Sequence, residues 1–239
     1  MKILITGGAS GLGLAITQQI LASYPDAFIY VTYHSSEKNA AALEDSSSQV
    51  KAVKCDFTKQ AEIDQLTALI AEADLDVLIN NALTRLQKNY FHKTGQDEFL
   101  HAFQSDILST LQITSAFLTR ARKLKRGKII TILSAAIINV PPIGWSVYCA
   151  NKAYLLAMHK SWASENAAFN ITSKCVSPDF MQTPLNQEVD ERIVESMTAS
   201  HPLKRLLTVE EVAQTVAFLC TASAHLNGQN IVMNAAQSI

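Results

Sequence analysis

Charge imbalance is missing from this 239-residue chain. Twenty Lys and Arg stand against 21 Asp and Glu, a formal net charge of −1. Without a basic excess there is no electrostatic case for a nucleic-acid partner or an anionic membrane surface. Cysteine is scarce and scattered. Cys55, Cys149, Cys175 and Cys220 form no CxxC pair, which argues against a disulfide framework or a cysteine zinc site and suits a reducing compartment. The six histidines are dispersed with no HExxH, so no metal site is expected. No apolar run reaches the length of a membrane span. The chain enters a strand after a single lysine, so no signal peptide is expected and the cytoplasm is the expected compartment. Internal repeats, low-complexity tracts and Pro/Gly-rich linkers are also lacking. What remains is a chain that is 48% hydrophobic, enough for one large α/β domain over residues 1–239.

Glycine is sparse too, yet half of the eight glycines fall between positions 7 and 13. The stretch ILITGGASGLG at 3–13 reads as a buried strand, Lys2 to Thr6, a tight turn, and a helix from Gly11 with Leu12, Ile16, Ile20 and Leu21 on one stripe. Gly7, Gly8, Gly11 and Gly13 leave no side chains in the way of a phosphate meeting N–H groups at the helix start. The spacing differs from the common G-x-G-x-x-G fingerprint.

Strand and helix patterns alternate thereafter. Strands are expected at Phe28–Thr32, Val50–Lys54, Val77–Ile79, Lys128–Leu133, Ile171–Val176 and Ile231–Val232. Helices are expected at Ser36–Leu43, Ala61–Ala73, Phe99–Leu124, Val147–Asn166 and Val209–Leu219, the last opened by a Thr208/Glu211 capping box. This βαβα order predicts an α/β fold, a doubly wound parallel sheet of about seven strands with helices on both faces. The strands are apolar runs, as when both faces are covered. The least regular stretch, 179–202 after the sixth strand, is a candidate lid, because ligands bind beyond the carboxyl ends of such strands.

Tyr148 and Lys152 are four apart on a helix and share a face. An ammonium there can stabilise a tyrosinate and pull the phenol below its usual value, making it a usable general acid or base. Ser134 ends the fifth strand, where its hydroxyl could hold a substrate oxygen beside Tyr148.

With these residues in place, the chain resembles the short-chain dehydrogenase/reductase family over nearly its full length. The matching pieces are TGGASGLG at 6–13, Asp56, NNA at 80–82, Ser134, YCANK at 148–152, Pro178, Thr183, PLKRLLTVEEVAQTVAFL at 202–219 and GQNI at 228–231. The resemblance implies a single-domain Rossmann-type fold and reversible hydride transfer between a nicotinamide and a carbonyl/alcohol pair, without metal. It implies Tyr148 as proton donor, Lys152 as the residue tuning it and holding the nicotinamide ribose, and Ser134 as the group polarising the carbonyl. It also implies a cofactor cradle of Gly7, Ala9, Ser10, Gly11, Leu12, Gly13, Tyr33, His34, Ser35, Asp56, Phe57, Asn80, Asn81, Ala82, Pro178 and Thr183 beside Tyr148 and Lys152. Within it, Asp56 would bond the adenine amino group and Thr183 the carboxamide.

Four positions depart from the family pattern: Leu83 for glycine in NNAG, Asp106 for the catalytic-helix asparagine, Asp179 for glycine in PG, and Ala235-Ala236 for a glycine pair. Asp106 counts as a catalytic-site residue, an extra carboxylate beside Lys152 that should raise the pH optimum. The departures leave open a non-catalytic NAD(P)-binding sensor or scaffold of the same fold. For the cofactor, NADP(H) is favoured over NAD(H). No acid ends the second strand, and Tyr33, His34, Ser35, Ser36 and Lys38 could face a 2′-phosphate, although Ser10 stands where many NADP binders are basic.

The pattern runs closest to 3-oxoacyl-thioester and general carbonyl reductases, so a small carbonyl/alcohol substrate, including an acyl thioester, is expected. Ile137, Ile138, Val140, Pro141, Pro142, Ile143 and Trp145 border the expected apolar pocket, with Met181, Leu185 and Met197 on the lid side. The basic run Arg120–Lys128 reads first as a solvated helix end and second as a carrier-protein patch. By resemblance the expected assembly is a homodimer or homotetramer packed through the helices at 99–124 and 147–166 and the C-terminal strand.

Overall fold

The computed structural model describes residues 1–84, 86, 88–138, 140–184 and 189–237. Seven strands, β1 (Lys2–Ile5), β2 (Phe28–Tyr33), β3 (Val50–Lys54), β4 (Val77–Asn80), β5 (Gly127–Ile132), β6 (Ile171–Pro178) and β7 (Asn230–Met233), form one sheet. Its order is β3-β2-β1-β4-β5-β6-β7, and every pairing is parallel.

Strand periodicity assigns each residue to a face. In β1, Ile3 and Ile5 belong to one buried cluster and Leu4 to the other; in β4, Val77 and Ile79 are divided from Leu78 in the same way. The first cluster is closed by α1 (Gly11–Ser23), α2 (Glu37–Ser46) and α8 (Val209–Thr221). The second is closed by α3 (Gln60–Ala73), α5 (Ser109–Leu124) and α6 (Ser146–Asn166). Each fully buried Ile or Leu stabilises the fold by about 1.5–3 kcal/mol, so covering both faces explains why the strands read as uninterrupted apolar runs. The capping box of α8 forms as its sequence predicts, with Thr208 and Glu211 each accepting the other's backbone N–H.

The chain runs from β1 out to β2 and β3, then crosses back to β4 on the other side of β1. The loops after β1 and β4 therefore diverge and open a crevice at the carboxyl end of the sheet. Thr6 pins that crevice: its hydroxyl accepts the N–H groups of Asn81 and Ala82 at 2.9 and 3.0 Å.

Element ends shift by one to three residues from expectation, and one element differs in kind. The helix expected over Phe99–Leu124 is α4 (Gln96–Ala102), a π-helical stretch over Phe103–Leu108, and then α5. The wider turn rotates Ser105 and Asp106 inward, where both are buried. Hydroxyls one turn on take up carbonyls of this stretch: Thr110 donates to the Asp106 carbonyl at 2.7 Å and Ser109 donates to that of Ser105.

The segment from 179 to 202 contains α7 (Glu191–Ser200), started by Asp190, whose carboxylate accepts the Arg192 N–H at 2.9 Å. Residues 185–188 of the expected lid, Leu185 among them, lie outside the described residues. The basic run at the end of α5 is largely spent on the fold. Arg120 pairs with Asp74, Arg126 with Asp76, Arg122 lies over the Phe169 ring, and Lys128 donates to the Cys220 carbonyl.

Candidate active site

A cavity of about 1230 Å³ runs across the carboxyl end of the sheet, from β2 past the glycine turn to Tyr148 and α7. The turn's shape follows from its glycines. Gly7 has φ +66°, a left-handed conformation that a side chain disfavours. Gly13 packs so closely that a Cβ would stand 2.0 Å from the Gly7 carbonyl oxygen. The turn is then tied down from below: Thr32 accepts the Gly7 N–H at 2.9 Å, and Thr17 donates to the carbonyls of Gly8 and Gly13 at 2.9 Å each. Ser10, at the N-cap of α1, makes no side-chain cap, so the first-turn N–H groups face the cavity without that partner. A bare backbone concavity at a helix start fits a dinucleotide pyrophosphate.

The structure gathers nearly all the expected residues on this cavity wall. Gly7, Ala9, Ser10, Gly11, Leu12, Gly13, Tyr33, His34, Ser35, Asp56, Phe57, Asn81, Ala82, Ser134, Tyr148, Lys152, Pro178 and Thr183 all line it. Two do not. Asn80 turns away and donates to Thr114 Oγ1 of α5 at 3.0 Å, because β4 still alternates at that point and sends this side chain into the helix layer. Asp106 lies behind the wall, where its Oδ1 accepts both the N–H and the hydroxyl of Thr84 at 3.0 and 2.6 Å. Two departures from the family pattern thus sit side by side: the altered loop after β4 is held by the altered residue of the π-helical stretch.

At the β2 end, Thr58 donates its N–H and hydroxyl to Asp56 Oδ1 at 2.9 and 2.7 Å. Those bonds, and then His34 and Lys59, hold the Asp56 carboxyl below its usual range. At the other end, the Tyr148 ring meets Trp145 edge to face at 5.4 Å. Burial pushes the Tyr148 phenol up to about 12, against an opposing hydrogen bond from Ser134. The phenol thus stands above its usual value in this structure, not below it as expected from Lys152. The Lys152 ammonium donates to the Ile132 carbonyl at 2.7 Å and lies 5.9 Å from the Tyr148 ring centroid. Burial brings Lys152 down to about 8, although Asp106 opposes the change by favouring the ammonium. Asp106 therefore acts on Lys152 with the expected sign, but desolvation is the larger effect.

Val140, Pro142, Ile143 and Trp145 line the Tyr148 end of the cavity, as do Met181 and Met197. Ile137 and Pro141 face a neighbouring pocket of about 470 Å³, and Ile138 faces neither. One pair escaped the sequence reading. His201, buried where α7 ends, accepts the Leu203 N–H through Nδ1 at 3.1 Å and sets Nε2 3.8 Å from Asp179 Oδ2. Both line the cavity. Asp179 stands out in the sequence as a departure, but its partner is 22 residues on and only the path of α7 joins them.

Comparison with known proteins agrees with this geometry. The family model described as enoyl-(acyl carrier protein) reductase matches residues 7–235. The chain is 30% identical to the 3-oxoacyl-(acyl-carrier-protein) reductase of Haemophilus influenzae over 236 residues, 97% of this chain and 95% of that one. It is 29% identical to nodulation protein G of Rhizobium sp. strain N33 over 238 residues, 98% of this chain and 95% of that one. A solved short-chain dehydrogenase/reductase family protein superposes with a TM-score of 0.86 at 26% identity, covering 98% of this chain and 96% of the other. A Beutenbergia cavernae structure with NADP at low occupancy superposes at 0.91 and 20% identity, over 99% of this chain and 96% of that one, a likeness of fold alone. A glycine-turn cradle joined in one cavity to Ser134, Tyr148 and Lys152, on a chain matched from end to end, makes this protein a member of the short-chain dehydrogenase/reductase family, an oxidoreductase resembling the 3-oxoacyl-acyl-carrier-protein reductases.

Proposed function

We propose that this protein is an NADP(H)-dependent reductase of a small carbonyl substrate, an acyl thioester or an apolar ketone, with Tyr148 as general acid. The observation that carries the reading is the meeting of Ser134, Tyr148 and Lys152 at one end of the cavity whose other end is the glycine turn. The bound nicotinamide supplies the hydride. The chain's own residues do the rest. Ser134 holds the carbonyl oxygen and Tyr148 delivers a proton to it, so that an alcohol forms; in the reverse direction the phenolate takes the proton back. Lys152, fixed by the Ile132 carbonyl, favours the tyrosinate left behind. Trp145, packed edge to face on the Tyr148 ring, keeps that side of the reacting end apolar, which strengthens these electrostatic effects.

The 2′-phosphate preference is supported by His34, Ser35 and Ser36 on the cavity wall. The one acid just beyond them, Glu37, is engaged by Lys54. The segment 179–202 acts as the lid, with Ile193 and Met197 of α7 turned to the cavity one helical turn apart. The assembly is a homodimer or homotetramer, and the four free, buried cysteines suit a reducing cytoplasm.

One observation favours the non-catalytic sensor: the loop after β4, where Leu83 departs from the family pattern, is held through Thr84 by a second departure, Asp106. The two readings part in a single assay, oxidation of NADPH and NADH against a panel of ketones and 3-oxoacyl thioesters. Turnover with NADPH ahead of NADH is the expected result. Tight cofactor binding with no turnover across the panel favours the sensor.

A further inference from the structure

The end of β6 runs beside the reacting groups. Ile132 pairs with Val176, the Leu133 N–H donates to the Val176 carbonyl at 2.7 Å, and Ser134 is still extended. Carried two residues on, that register sets Ser134 beside Pro178, on neighbouring strands about 5 Å apart. Asp179 follows directly. Its N–H donates to the Met233 carbonyl of β7 at 3.0 Å, which fixes its backbone, and it lines the cavity.

The Asp179 side chain is only 25% exposed, yet among the described residues its carboxylate accepts no hydrogen bond. Polar groups so far withdrawn from water are normally paired. The group opposite is His201, whose side chain is 6% exposed. Its Nδ1 accepts the Leu203 N–H at 3.1 Å, so the ring is neutral and carries its proton on Nε2. That N–H faces Asp179 Oδ2 across 3.8 Å, too far for a hydrogen bond. The basic groups after His201 do not fill the gap. Lys204 donates to the Ala199 carbonyl, and Arg205 forks onto Glu211. A donor and an acceptor thus stand opposite each other on the cavity wall, unjoined.

We propose that Asp179 and His201 form a subsite for a hydroxyl group of the substrate. An oxygen about 2.8 Å from both atoms closes a triangle on the 3.8 Å base. Its proton goes to the carboxylate and its lone pair takes the Nε2–H. A water molecule does the same before substrate enters, and a substrate hydroxyl replaces it without loss. A methylene in that place leaves both groups unpaired, and a carbonyl oxygen meets the carboxylate lone pairs with no proton to offer. The proposal rests on the reductase reading above and specifies what that reading leaves open: the carbonyl compound bears a hydroxyl close to its reacting carbon. Glycine, the family residue at position 179, offers no such acceptor.

The test measures kcat/KM with NADPH for matched ketones, hydroxyacetone against acetone and acetoin against butanone. Comparing the ratio within each pair between the wild type and Asp179→Gly cancels the greater intrinsic reactivity of the hydroxyketones. That ratio is expected to fall by about 10- to 100-fold in Asp179→Gly. It falls less in Asp179→Asn, whose amide oxygen still accepts, and it falls in His201→Phe, which keeps a ring and drops the donor. The dissociation constant for NADPH is expected to be the same in Asp179→Gly as in the wild type. An unchanged ratio overturns the proposal. So does an equal loss for both members of a pair, which would make the two residues a lid contact, and so does a loss in NADPH affinity instead, which would assign them to the cofactor. Saturation-transfer NMR of the same ketones on the NADP+ complex, where no reduction takes place, separates the subsite from the reading it rests on. Preferential binding of the hydroxyketones that Asp179→Gly abolishes, with no turnover of any ketone, upholds the subsite and overturns the reductase reading. Turnover with no such preference in binding overturns the subsite alone.

Discussion

Asp106 shows how a single carboxylate can act without touching the cavity. Its Oδ1 accepts two hydrogen bonds from Thr84 and its charge supports the Lys152 ammonium. Asp106→Asn keeps an oxygen for Thr84 and removes only the charge, so Lys152 gives up its proton more readily. The pH–rate profile should move to lower pH by on the order of half to one unit; an unmoved profile in a steady-state series would refute this. Ala235 and Ala236, where the family keeps a glycine pair, are a second case. Both are left-handed, with φ of 50° and 59°. That conformation costs a side-chain-bearing residue about 1–2 kcal/mol, and glycine's greater freedom when unfolded returns about 0.4–1 kcal/mol of it. Either residue changed to glycine should raise stability by up to about 1 kcal/mol, read as a higher denaturation midpoint; an unchanged or lower midpoint would count against strain there.

Among the elements, the glycine turn has the least latitude. Gly13→Ala places a Cβ 2.0 Å from a backbone oxygen, so α1 must shift away from β1 and take the N–H groups at its start with it. Cofactor affinity should fall by more than about a hundredfold, since the proposed pyrophosphate contact would be made by backbone geometry alone. Fluorescence titration measures it, and near-normal binding would mean that the dinucleotide lies elsewhere. This turn was legible because strand, glycines and helix are contiguous. The strands were legible because a sheet covered on both faces needs apolar runs, and Tyr148 and Lys152 because a helix puts residues four apart together. The π-helical stretch was not, because hydrophobic periodicity cannot register one wide turn inside a long helix. Nor was the turn of Asn80 toward Thr114, which depends on strand alternation persisting one residue longer. The pairs His34–Asp56 and Asp179–His201 needed the fold itself, since each joins residues more than twenty apart.

Across the molecule as a whole, buried lysines tie stability to pH. Lys152 and Lys174 are both buried, and burial brings each down to about 8 from the usual 10.5. Lys174 donates to Thr172 Oγ1 at 2.8 Å and is opposed by Lys128 nearby. Between about pH 8 and 10.5 the unfolded chain holds protons that these folded lysines have released, so their contribution to stability rises with pH. Below pH 8 each carries the full cost of a buried ammonium. Lys174→Met removes one such cost at similar volume and should stabilise the protein at pH 7 by about 1–3 kcal/mol. The advantage should shrink as pH rises from 8 toward 10.5. Denaturant unfolding of both proteins at several pH values checks it, and an advantage that is constant with pH would place the effect in packing rather than in charge.

The central claim is that Tyr148 transfers the proton in a cavity that also holds the dinucleotide, and comparing Tyr148→Phe with the wild type tests it most directly. On the carbonyl compound that the wild type reduces fastest, both turnover and NADPH affinity are measured. The account predicts that turnover falls by about 10²–10⁴-fold while the dissociation constant for NADPH stays where it was. Turnover that survives the loss of the phenol hydroxyl, with cofactor still bound, would contradict it.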